Sequence, residues 1–343
     1  MADQNSLPPD LPAEAQMNTL LRGFVTTQAI AVAARLGVAD LVAVSPRSAD
    51  ELAQETKTHA PSLRRLLQFL TSLGIFEEDA AGKYRQTALS ETLRSDAPRT
   101  LRAAMIMLGS DFIWKPWGDL WQTIVTGQPA LDRVLGAPGW EYLAAHPDDA
   151  AIFNAAMTSV SSVQVSDILA AYDFSRFERI VDVGGGQGLL LHGILSAYLQ
   201  LHGVLADQPS VVASAVALRI RPIADRCEIV GIDFFQSVPE GADAYVAKSV
   251  IHDWNDHDAV RILKNCRRAI RNNGMMLLIE LILKPANQPD FARFADLQML
   301  VTAPGGRERT EAEFRALLGE AGFSLIRVIP TVGAMSIIES KPV

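Results

Sequence analysis

The sequence predicts an α/β protein in two parts: a mainly helical, winged-helix-like domain over residues 1–165, then a mostly parallel, doubly wound sheet with an antiparallel edge over residues 166–343. Three observations carry this expectation. Up to about residue 165, apolar residues recur at helical spacing between recognisable caps. From about residue 175, short apolar runs alternate with amphipathic segments, the pattern of strands joined by helices in a parallel sheet. The first of those runs leads directly into a glycine-rich turn, Gly184-Gly-Gly-Gln-Gly188.

In the first part, Ser48-Ala-Asp-Glu51 is a capping box that opens a short helix ending near Thr56. Pro61 suits a first helical position, Leu63, Leu66, Leu67, Leu70 and Leu73 form an apolar stripe, and Gly74 ends the helix. Ile75 to Tyr84 then reads as two short strands around an Ala-Gly turn, and helix, helix, hairpin is the order of a winged helix. In the second part, strands are expected at Arg179–Val183, Gly203–Ala206, Cys227–Gly231, Asp243–Lys248 and Met275–Leu281. Ala259, Ile262, Leu263, Cys266, Ala269 and Ile270 mark a helix that stops before Asn273-Gly274. Thr310-Glu-Ala-Glu313 caps another helix closed by Gly322, and runs at Ser324–Ile329 and Ala334–Glu339 complete the antiparallel edge.

With 343 residues, 49% of them hydrophobic and 20% charged, the chain can bury a substantial core. A net charge of −8 repels nucleic acid and anionic membranes, so neither is an expected partner. Two cysteines, Cys227 and Cys266, make neither a disulfide framework nor a four-ligand metal site, and a reduced cytoplasm is the expected home. Met1 to Pro12 is polar and lacks the apolar centre of a signal peptide, while Met275–Leu283 is too short for a membrane span and carries Glu280.

The glycine turn carries the most chemical information. It lets backbone approach a ligand, and the helix after it presents free N–H groups. A dinucleotide fingerprint requires glycine at 189, where Leu189 stands, and Asp182 precedes Gly184 and Gly186 in the strand. A pyrophosphate has no use for that carboxylate, whereas a cofactor bearing an ammonium and a sulfonium does. Asp207 lies 23 residues beyond Gly184, where such sheets place the acid that binds ribose hydroxyls. Asp233, beside Phe234, and Lys248 also fall at strand ends, the rim where these sheets bind ligands.

Four segments, Asp182–Gly188, Gly231–Phe235, Lys248-Ser-Val-Ile-His-Asp-Trp254 and Gly305-Gly-Arg-Glu-Arg-Thr310, together resemble the S-adenosylmethionine (SAM)-dependent O-methyltransferases of the caffeate/hydroxyneurosporene type. That resemblance spans nearly the whole chain. It implies a Rossmann-like SAM methyltransferase sheet, a winged-helix-like dimerisation domain and a homodimer. It assigns Asp207 to the ribose, Asp233 to the adenine amino group, Lys248 to the side of the adenosyl moiety and Phe234 to the adenine ring, with S-adenosylhomocysteine as product.

His252 is the expected catalytic base, placed just past a strand end to take the proton of an acceptor hydroxyl. Such a base needs an acceptor on its second nitrogen. Glu280, an acid inside an apolar strand, is the first candidate and Glu308 the second; by resemblance both match acids flanking the family's histidine. Asp253 adjoins His252 and ranks lower, on the acceptor side. No HxH or HExxH spacing occurs and no metal is expected. Met105, Met107, Phe112, Trp114, Trp117, Trp121, Phe153, Met157 and Met299 read first as core, then as lining for a flat aromatic acceptor. The resemblance raises Phe153, Met157 and Met299, because Phe153–Met157 and Asp296–Leu300 border the family's acceptor site. Competing readings are N-methylation or altered chemistry on the same fold, a DNA-binding regulator presenting Arg64 and Arg65, and a nucleotide-dependent oxidoreductase.

Overall fold

A computed structural model describes residues 12–343. The segment read as lacking a signal-peptide centre therefore lies, up to residue 11, outside the described residues. The chain forms two compact units: residues up to Asp119 with Leu131–Val160, and Leu120–Ala130 with Ser161–Val343. The boundary expected at residue 165 and the one found at Val160/Ser161 both fall inside a single helix, Pro147–Ala171. After its opening proline that helix contains no proline or glycine, so its sequence offers no punctuation to locate the change.

In the first unit, Ser48 Oγ accepts the Glu51 N–H at 3.2 Å while Glu51 returns a carboxylate oxygen to the Ser48 N–H at 2.6 Å, which starts the helix Ala49–Thr56. Strands β1 (Arg47–Ser48), β2 (Phe76–Glu78) and β3 (Lys83–Gln86) pair antiparallel in the order β1-β3-β2. Leu63, Leu67 and Leu70 of the helix Ala60–Ser72 pack with Leu52, Phe76 and Tyr84 into one core. Leu73 leaves the expected stripe and is exposed, because the helix stops at Ser72 and Leu73 serves as its cap.

The second unit is a seven-stranded sheet of β4 (Arg179–Val183), β5 (His202–Asp207), β6 (Cys227–Gly231), β7 (Ala244–Lys248), β8 (Met275–Leu281), β9 (Phe323–Pro330) and β10 (Met335–Pro342). Its order is β6-β5-β4-β7-β8-β10-β9, with β4 to β8 parallel and β10 antiparallel to both neighbours. Both faces are covered, so the central strands are mostly apolar and their side chains alternate between two cores. Val181, Val204, Tyr245 and Leu278 join one, and Ile180, Leu205, Val246 and Ile279 the other. Burying one such side chain contributes about 1.5–3 kcal/mol. The strand order reverses between β4 and β7, and an open α/β sheet binds ligands at the carboxyl ends flanking such a switch point. No single helix among the described residues is long and apolar enough to cross a membrane.

Candidate active site

The glycine turn leaves β4 at that switch point. Gly184, Gly186 and Gly188 have φ of 68°, 61° and 77°, the left-handed region that glycine enters without strain. Their surroundings differ. A side chain on Gly184 would meet Val250 Cγ2 at 2.7 Å, whereas one on Gly186 would have nothing within 4 Å. Gly184 thus permits close packing, whereas the Gly186 Cα faces open space. Asp207 pins the loop: Oδ2 accepts the Gly186 N–H at 2.8 Å and Oδ1 the Gln208 N–H at 2.6 Å.

Asp182 lies against Gly185, where an added Cβ would come within 2.5 Å of its carboxyl carbon. It is buried, and among the described residues neither carboxylate oxygen has a hydrogen-bond partner. Burial pushes its acidity up to about pH 7, opposed by Lys248 and reinforced by Asp207. An unpartnered buried carboxylate is costly, and a cation brought to this loop relieves it. That fits a cofactor with an ammonium and a sulfonium.

Asp233 closes its own turn, with Oδ1 accepting the Phe235 N–H at 2.9 Å and Oδ2 the Gln236 side-chain N–H at 3.0 Å. Phe234 stands edge-on to Phe235 and Trp254, with ring centroids 5.1 and 6.0 Å away, beside Gly184. Lys248 donates to Gln164 Oε1 at 3.0 Å and to Ser161 Oγ at 3.4 Å. Burial pulls its ammonium below the ordinary lysine range, while Asp182 and Glu280 oppose that shift.

His252 sits in the 3₁₀ turn Ile251–Asp253 that follows β7. Its Nδ1 lies 2.8 Å from Glu308 Oε1. Glu280, the first-ranked orienting acid, does not take this role. It projects from β8 beneath the turn, and Oε1 accepts the backbone N–H groups of Val250 at 3.2 Å and Ile251 at 2.9 Å. The order is therefore reversed: Glu308 orients the ring and Glu280 holds the turn. Asp253 Oδ1 stands 3.5 Å from Nε2, on a half-exposed side chain.

One polar atom each from His252, Glu280 and Glu308 lies within 4.8 Å of the others, a count and spacing that could ligate a cation. Here, however, Nδ1 faces Glu308 and Glu280 Oε1 faces two amides. Burial works against a charged imidazole. The Glu280 charge and the hydrogen bond to Glu308 outweigh it and raise His252 to about 9. Glu280 is itself pushed up to about 7, mainly by burial, with His252 opposing and Glu308 adding to the shift.

The expected acceptor residues fall in both units. Phe153 and Met157 belong to the first, where Phe153 meets Phe112 edge-on at 5.8 Å. Met107 and Trp117 pack around Phe112, Ile113, Leu131 and Leu143, so core packing accounts for these. Trp121 is exposed. Met299 belongs to the second unit, and a side chain on Gly306 would meet both its Cε, at 3.2 Å, and the His252 carbonyl, at 3.0 Å.

Two residues named only as members of longer segments, Asp296 of Asp296–Leu300 and Arg309 of Gly305–Thr310, have partners of their own. Asp296 Oδ1 accepts the Glu308 N–H at 2.9 Å, and Arg309, fully buried, binds the turn that carries His252. Both act through partners remote in sequence, so the segments that contain them do not reveal these roles.

A family model described as O-methyltransferase domain matches residues 117–324, and one described as O-methyltransferase dimerisation domain matches 18–96. The chain is 38% identical to a phenazine O-methyltransferase of Lysobacter antibioticus, over 97% of each chain. It is 33% identical to an 8-amino-8-demethylriboflavin N,N-dimethyltransferase of Streptomyces davaonensis, over 90% of this chain and 89% of that one. The solved structure of a methyltransferase of calicheamicin biosynthesis, in its SAH-bound form, aligns with a TM-score of 0.87 at 33% identity, covering 97% of this chain and 100% of that one. A glycine turn at the switch point, an acid-flanked histidine and this full-length likeness agree: the chain belongs to the SAM-dependent O-methyltransferase family.

Proposed function

We propose that this protein methylates a hydroxyl oxygen of a small aromatic molecule, with His252 as general base. The observation that carries the reading is the pairing of His252 Nδ1 with Glu308. With its Nδ1 proton held by Glu308, a neutral imidazole offers the Nε2 lone pair to an acceptor O–H. When bound, SAM supplies an electrophilic methyl on a sulfonium, open to in-line displacement by that oxygen.

His252 then takes one proton, Glu308 stabilises the imidazolium that results, and Glu280 keeps the turn in place. Bound SAM would bring a positive charge to the site, which would disfavour imidazolium and help His252 give up the proton it holds in the free protein. A base of this kind contributes roughly 10²–10⁴-fold, and holding the reactants in line contributes up to about 7–11 kcal/mol. The cofactor rim in this reading is Asp182, Gly184, Gly186, Asp207, Asp233, Phe234 and Lys248; Met299 and Asp253 of the second unit border the acceptor, and the family resemblance alone adds Phe153 and Met157.

We also propose a homodimer. The dimerisation-domain match covers helices whose Leu20, Leu21 and Phe24 are all exposed, an apolar face suited to a second copy.

A screen of phenolic and arylamine metabolites with radiolabelled methyl donor tests the reaction. A labelled methyl ether supports it, a labelled N-methyl product would favour the second chemistry that one relative's name carries, and transfer to no hydroxylated acceptor would refute it.

A further inference from the structure

We infer that Arg309 is a positioning residue for methyl transfer, holding the backbone that carries His252 at the geometry proton removal requires; this rests on the reading of His252 as the base. Arg309 is fully buried, and its guanidinium binds that turn together with the start of the helix after it. Nη1 donates to the Ile251 carbonyl at 2.9 Å and Nη2 to the Trp254 carbonyl at 2.7 Å, so the two bonds bracket His252. Nε and Nη2 both donate to Asp256 Oδ1, at 3.0 and 2.8 Å, anchoring the start of the following helix. A longer 3.5 Å contact to the Arg307 carbonyl completes the set. Five N–H groups in a rigid planar fork suit this task, and a lysine could reproduce only part of it.

The neighbouring backbone acts with it. The Arg307 N–H donates to the His252 carbonyl at 2.8 Å, and Glu308 takes His252 Nδ1. Gly306 approaches so closely that a Cβ there would lie 3.0 Å from the His252 carbonyl. Three successive residues therefore hold three different parts of the histidine turn: its carbonyl, its ring and its flanking carbonyls. Arg309 is tied in turn to the end of β8, where the Leu283 N–H donates to its carbonyl at 3.0 Å. The imidazole is set by the sheet through Arg309, not by the short turn alone. Misplacement of a reacting group by about 1 Å can lower a rate about 10²-fold, the sensitivity such a clamp protects against.

The test is a double-mutant cycle in the full-length protein, using an acceptor found in the screen above. Arg309→Met is expected to lower kcat tenfold or more, leave the SAM Kd within about twofold and broaden or shift the His252 ring resonances. Arg309→Lys should recover part of the loss. In a His252→Ala background, the same Arg309→Met change should cost little further. An equal loss in both backgrounds would overturn the inference and leave the base assignment standing. Full turnover by His252→Ala alone would instead remove the base assignment, and the inference with it. Should Arg309→Met fail to fold, Asp256→Asn frees the outer anchor, and the same cycle with His252→Ala must again be non-additive.

Discussion

Nδ1 of His252 and Oε1 of Glu308 lie 2.8 Å apart although 56 residues of chain separate them. They meet because the segment before the helix Glu311–Glu320 runs alongside the end of β8, where Ile282 and Arg309 form an isolated bridge. Asp296 then holds the Glu308 N–H from the helix Phe291–Thr302. A ring fixed from one side by a carboxylate leaves its other nitrogen for chemistry, and most of the expected consequences follow from that arrangement.

His252→Ala should lower methyl transfer about 10²–10⁴-fold, the usual contribution of a general base, while the SAM Kd stays within about twofold. Single-turnover rates and calorimetry measure the two quantities separately. Survival of the wild-type rate with a hydroxylated acceptor would rule out the assignment.

The imidazole of the free protein should titrate near pH 9, well above the ordinary 6.5. Because the folded value lies above the unfolded one, its stabilising contribution is complete below about pH 6.5 and fades as pH rises through 9. Glu308→Gln should move the midpoint to lower pH, and SAM should lower it more than S-adenosylhomocysteine, whose sulfur is neutral. Ring-proton NMR reads all three; a midpoint unmoved by Glu308→Gln would contradict this account.

Asp182→Asn should weaken SAM binding and alter the pH dependence of stability. A carboxyl raised from about 3.9 unfolded to about 7 folded favours its protonated form in the native protein. The charged group therefore penalises folding increasingly from pH 4 to 7 and fully above that. Relative to wild type, the variant should be more favoured at pH 8 than at pH 5. Urea titrations at the two values decide it, and an identical difference at both would refute the prediction.

Gly186→Val places a branched side chain at φ 61°, a strain of about 1–2 kcal/mol, with its Cβ on the open side of the turn. The fold should persist and SAM affinity should be lost. Undiminished affinity by calorimetry would mean the cofactor does not approach this backbone.

Replacing Leu21 and Phe24 together by glutamate should convert a particle of twice the chain mass into one of single mass by light scattering. Both side chains are exposed in the isolated chain, so the stability of each separate copy should change little. An unchanged mass would place the dimer contact elsewhere.

Strand and helix positions were legible from local pattern because strands buried on both faces read as short apolar runs between turn signals. Arg179–Val183, Cys227–Gly231 and Met275–Leu281 match their expected bounds. The unit boundary was less legible, since it falls within an unbroken helix. Glu280 stood out as an acid in an apolar strand, a local anomaly that needs a partner. Its partners did not stand out, because backbone amides carry no residue identity. The roles of Asp296 and Arg309 were hidden for the same reason, since each binds backbone groups.

The sequence by itself determined the elements, the glycine turn and the set of acids around one histidine, because periodicity, caps and buried charges are properties of short stretches. Only the tertiary structure decided that Glu308 meets the ring, that Glu280 holds the turn and that Arg309 clamps it. Those pairings depend on which chain segments the sheet order and its connections bring within 3 Å, and spacing along the chain does not encode such distances.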